Sequence, residues 1–257
     1  MPVVGTLSRR NTWAITASLG GITALCWVYL VTMARGMCAP ESMHLAALQI
    51  RHWSAGYAWM MAVMWTVMMV GMMLPSALPT VLLYAAVAHK AAREGTPVAS
   101  AHAFTLGYVV VWTGFSLMAT AAQWQLDRFA LLSPMMVSNS PALGAALLVA
   151  AGVYQLLPIK NQCLKRCRGP IQFIADHWKP GAVGAFRMGL EHGVFCLGCC
   201  WVLMLLLFVG GVMNLVWIAT IAVFVLLEKV VPLGDVGGRI LGVTMMAAGM
   251  LTLLLGR

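Results

Sequence analysis

The sequence predicts an all-α fold, a polytopic transmembrane helix bundle of about seven spans, with six as the smaller solution. Three observations carry this. Of the 257 residues, 61% are hydrophobic and only 9% are charged, whereas a soluble domain carries roughly a quarter charged residues. The mean hydropathy is +0.88. The apolar residues also fall into runs close to the roughly 20 residues that a helix needs to cross a bilayer core.

The runs place spans at 12–34, 57–78, 101–122, 141–158, 188–208, 213–231 and 238–256. The first follows Arg9 and Arg10 like the start of a signal peptide. It is long for such a segment and no small-x-small site follows it, so it reads as an uncleaved helix. The second contains Pro75 and Pro79, which bend a helix and free carbonyls. The fifth and sixth are joined at Gly210 and Gly211. The whole chain, 1–257, reads as a single integral membrane domain without internal repeats. The net charge of +9 would suggest nucleic acid in a soluble protein, but here the basic residues sit in short connections and no nucleic-acid motif accompanies them. With seven spans, twelve of the 16 Lys and Arg fall on one side and four on the other. The positive-inside rule then puts the N-terminus in the cytoplasm and 159–187 in a basic cytoplasmic loop. Its stretch PIQFIADHWKPG mixes apolar and basic residues and is expected to lie in the interface.

Sulfur is the unusual feature: 20 Met and 7 Cys. In HGVFCLGCCWVLM, His192, Cys196 and Cys199 are spaced i, i+4, i+7 and share one helix face. Cys200 lies beside them and Met188 extends the row. In the second span, Met61, Met64, Met68 and Met72 form a stripe flanked by Met60, Met69 and Met73. Methionine packs well between helices, so a stripe alone reads as core; seven within 14 residues ask for more, because Leu would pack as well and resist oxidation better. Thiolates and thioethers are soft ligands suited to Cu(I), and thiolates also suit Zn(II). One helix offers too few donors, so the expected metal site lies between the second and fifth spans. Its candidate ligands are Cys196, Cys199, Cys200 and His192, with Met64, Met68 and Met72. Buried cysteine that merely packs is the plain alternative.

A second pair, Cys163 and Cys167 in QCLKRCR, stands one turn apart after Pro158. It reads either as a metal port or redox pair, or as two thiols on a basic helix. Outside the spans, Met37, Cys38, Met43, His44 and His52 form a scattered group better read as loop residues than as a site. Asn214 and Gln155 are expected to hydrogen-bond across helices, and Glu228 with Lys229 to form an interfacial ion pair.

MMLPSALP, YQLLPIKNQCLKRCR, FCLGCCWVLM, GVMNLVW and LLEKVVP occur in that order. Together they resemble a bacterial family of predicted metal-binding integral membrane proteins, some of whose members are labelled copper chaperones. The resemblance spans roughly residues 57–232 and implies metal, with neither a reaction nor a named partner. No P-loop or other nucleotide-binding pattern occurs, so delivery of Cu(I) to an extracytoplasmic metalloprotein fits better than pumping, and no enzymatic activity is expected. The sequence keeps two other readings open. One is a membrane thiol-disulfide oxidoreductase using the CxxC of Cys196 and Cys199. The other is a structural assembly subunit in which the sulfur residues pack. A Zn(II) site is a variant of either the metal-handling or the structural reading. Oligomeric state is left open.

Overall fold

The computed structural model describes residues 9–37, 53–97, 100–133, 136–231 and 234–255. They form α1 (Arg9–Met37), α2 (Ala55–Arg93), α3 (Ala101–Arg128), α4 (Pro141–Leu156), α5 (Pro158–Arg168), α6 (Pro170–His177), α7 (Gly181–Leu205), α8 (Leu207–Gly210), α9 (Leu215–Val230) and α10 (Gly234–Leu255). Among the described residues there is no strand, only an isolated bridge between Leu132 and Ser138. The all-α bundle expected from the hydropathy runs is the observed architecture.

Among the described residues, five helices are long and apolar enough to cross a membrane: α1, α2, α3, α7 continued through α8, and α10. The segments α4 and α5 count as a sixth if taken together, although they bend by 65° at Leu157. The bend has a local cause. Pro158 begins α5 and pushes Leu157 into an extended conformation, with ψ of 140°, because a residue before proline avoids the helical region. The expected span at 213–231 corresponds to α9, which has 16 residues. At 1.5 Å per residue that is about 24 Å, short of a bilayer core of about 30 Å. Among the described residues the helices long enough number five, or six with α4 and α5 taken together, which is the smaller of the two expected counts.

Local chemistry sets the helix ends. Ser54 caps α2, Ser140 caps α4 and Asn214 caps α9, each side chain accepting from a backbone N–H in the first turn. Asn214 also donates to the carbonyl of Gly210. It is thus a cap rather than the cross-helix partner expected from its place in an apolar run; asparagine satisfies orphan N–H groups well at that position. Gly211, at φ 96°, makes the turn between α8 and α9 in a conformation that side chains disfavour.

Connections gather at two ends. At one, Trp53 Nε1 donates to Asp127 (3.1 Å) and Ser138 N donates to the Phe208 carbonyl (2.9 Å). At the other, Gly181 N donates to the Pro97 carbonyl (2.8 Å). In the interior α7 packs on α3 and α5, α2 packs on α3, α1 and α9, and α10 packs on α4. The 159–187 segment is not a loose loop. It folds into α5 and α6, which bury Lys160, Leu164, Phe173 and Ile174.

Candidate metal centre

Glycine permits the close approach that builds the site. A Cβ at Gly107 would overlap the carbonyl of Phe186, and one at Gly189 would overlap the carbonyl of Phe104. Small residues are what allow helix backbones to meet this closely. The crossing sets Tyr108 of α3 directly against α7. Its hydroxyl lies 3.0 Å from Cys196 Sγ and 3.1 Å from the Met73 carbonyl of α2. One phenol therefore joins three helices.

A second crossing brings in α5. A Cβ on Gly198 would meet Cys163 Sγ at 2.8 Å, so Cys163 lies flat on α7 there. One turn further along α5, the Cys167 thiol neighbours those of Cys196 and Cys199. Cys199 and Cys200 each turn Sγ toward the Cys196 carbonyl, at 3.0 Å. The outcome is four thiols, one from α5 and three from α7, gathered in the core. Cys196, Cys199 and Cys200 are each 1% exposed. Among the described residues, no three His, Cys, Asp or Glu side chains already form a metal-holding group, in keeping with two thiols that face a carbonyl rather than a common centre.

A fifth helix contributes charge. Lys229, at the end of α9, donates from Nζ to Cys196 Sγ (2.9 Å) and to Ser76 Oγ of α2 (2.9 Å). It does not pair with Glu228. The two are adjacent on α9, and adjacent residues diverge on a helix. Glu228 instead accepts from the buried Lys160 of α5, while Arg168 Nε donates to the Glu228 carbonyl at 2.8 Å. The expected Glu228–Lys229 pair is thus replaced by two separate contacts, and Lys229 faces sulfur.

His192 lies one turn from Cys196 among the rings of Phe104, Tyr108 and Phe173, with centroids 5.9, 5.7 and 5.2 Å away. It is 3% exposed, and its Nδ1 has no hydrogen-bond partner. Its neighbour Glu191 is paired with Lys179. Gln155 was expected to bond across helices, but its amide is buried without a partner. It sits where α4 meets α10 through Gly242, beside the apolar Leu156.

Met64, Met68 and Met72 are buried, at 0, 0 and 2% exposure, in the same core as the cysteines. The polar links from α2 to the thiol cluster run through the Met73 carbonyl and Ser76, and α2 and α7 each pack chiefly on α3. The structure thus unites Cys167, Cys196, Cys199 and Cys200. It adds Tyr108, Lys229 and Ser76, which sequence reasoning did not select. Lys229 carried a signal, since an ionisable residue in an apolar run is functional by default, but its partner was not visible. Of the scattered group, Cys38, Met43, His44 and His52 lie outside the described residues, as does the Met37 side chain.

These features define a class: a helical bundle with several membrane-capable helices and a thiol cluster, attended by a lysine and a histidine, in its core. The chain belongs to the copper chaperone family described as PpoB2, whose match covers residues 62–252. No curated protein and no solved structure matches it.

Proposed function

We propose that the protein sits in the bacterial inner membrane with its N-terminus cytoplasmic, binds Cu(I) at the α5–α7 thiol cluster, and passes it to an extracytoplasmic metalloprotein. The observation that carries this is the set of donors around Cys196: thiols from two helices at its side, and His192 with an unpartnered Nδ1 one turn away. Cysteine and histidine fit a soft monovalent ion. The family description points to the same cargo.

Lys229 favours Cu(I) over Zn(II). Two thiolates around Cu(I) carry one net negative charge, which the ammonium 2.9 Å from Cys196 balances. Two thiolates around Zn(II) are already neutral, and Lys229 would then be an uncompensated cation in a buried site. Glu228 cannot balance it, being held by Lys160. Binding requires Cys199 and Cys200 to swing off the Cys196 carbonyl, a side-chain rotation with no backbone movement. Met64, Met68 and Met72 serve as neighbouring soft groups on α2.

Metal quantitation on detergent-purified protein under reducing conditions tests this. The wild type should hold Cu(I) in a thiol-bound site, and Cys196→Ser with Cys199→Ser should lose it. Unchanged thiol-bound copper in the double variant would overturn the assignment.

A further inference from the structure

The methionine row on α2 has two ends, and both are anchored. Met61, Met64, Met68, Met72 and Ser76 recur at spacings of three and four, so they stand on one face. Ser76 touches Lys229, which touches Cys196. Met61 lies fifteen residues away, about 22 Å along the helix at 1.5 Å per residue. The four methionines of the row are 0–2% exposed.

At the far end a second sulfur arrives from elsewhere in the chain. Met136, in the connection between α3 and α4, has φ of 57°, a left-handed conformation that non-glycine residues seldom adopt. Its side chain is fully buried all the same. Gln123 Nε2 donates to Met136 Sδ (3.4 Å) and to Met61 Sδ (3.6 Å), while Gln123 Oε1 accepts from Trp65 Nε1 (2.8 Å). One amide nitrogen therefore faces both thioethers, which bring their sulfurs to the same buried group. Packing alone accounts for buried methionine. It does not account for a buried amide whose nitrogen is turned on two weak acceptors, nor for a loop methionine held in a disfavoured conformation to reach them.

We propose that Met61 and Met136 form a second Cu(I) site, built of thioethers, at the Trp53 end of the bundle, and that Met64, Met68 and Met72 join it to the thiols. Thioethers are neutral and soft, so they hold a monovalent d10 ion without losing a proton. Their hold is weaker than that of a thiolate, which suits release. Methionine's flexible stem lets each sulfur meet the next along the row. The ion displaces the amide N–H from the sulfurs, and Gln123 keeps its bond to Trp65. The direction of travel along the row rests on the thiol cluster being the Cu(I) site; the methionine site itself does not.

The test is an anaerobic titration of the full purified chain with Cu(I) against a chromogenic Cu(I) chelator. The wild type should show a tight and a weak class of site. Met61→Leu with Met136→Leu, a volume-conserving change that cores tolerate, should lose the weak class and keep the tight one. A single class in the wild type, or both classes in the methionine variant, would overturn the second site. If Cys196→Ser with Cys199→Ser leaves both classes intact, the thiol assignment fails while the methionine site stands.

Discussion

Replacing Lys229 with Met probes the charge logic of the thiol centre. The ammonium lies 2.9 Å from Cys196 Sγ. With an effective dielectric of about 20, a unit positive and a unit negative charge at that distance attract by about 6 kcal/mol. Desolvation of the buried ammonium offsets part of this, and breaking one side of a buried pair costs about 3–5 kcal/mol. The lower figure corresponds to a Cu(I) dissociation constant raised about 100-fold. Zn(II) should respond oppositely, holding its affinity or gaining, because the neutral dithiolate complex no longer faces a cation. Lys229→Arg keeps the charge and should stay near wild type in its preference for Cu(I). The assay is competition against chromogenic chelators for each metal, with monodispersity checked for every variant. Cu(I) affinity within threefold of wild type in Lys229→Met, or an equal loss for both metals, would refute the argument.

Other perturbations separate structure from site. Mild oxidation should link Cys167 to Cys196 or Cys199, so that cleavage between residues 169 and 181 leaves the fragments joined until reduction; fragments that separate would place α5 away from α7. Lys160→Met leaves the Glu228 carboxylate buried without its cation and should destabilise by about 3–5 kcal/mol, read as a lower thermal midpoint in detergent. Adding Glu228→Leu should recover most of that loss, and failure to recover would mean the pair is not the reason. Gly189→Leu forces apart α3 and α7 at the Phe104 carbonyl; overpacking of this kind should cost about 3 kcal/mol and weaken Cu(I) binding as Tyr108 leaves Cys196.

The helices were legible because long apolar runs satisfy their backbone groups most simply as helices, and composition shows those runs directly. The α4–α5 break was half visible: Pro158 marked a bend, but the depth at which α5 folds back onto α7 depends on Gly198 meeting Cys163. The thiols of α7 were legible as a face because helix periodicity is local. Cys167 is legible as a candidate metal or redox thiol paired with Cys163, but nothing in QCLKRCR says which helix it will touch.

What the sequence by itself determined was the material: apolar runs of membrane length, soft donors at one-turn spacing on two segments, and too little charge for a soluble protein. These follow from period and composition, which any short window of the chain expresses. Only the tertiary structure decided which donors meet. Glycines at positions 107, 189 and 198 let three helices close on one another, and that closeness set Tyr108 and Cys167 against Cys196. The end of α9 then turned Lys229 toward sulfur and Glu228 toward Lys160. Partnership across segments depends on shape and on the cost of leaving a charge unpaired, and neither is written in the order of residues along one helix.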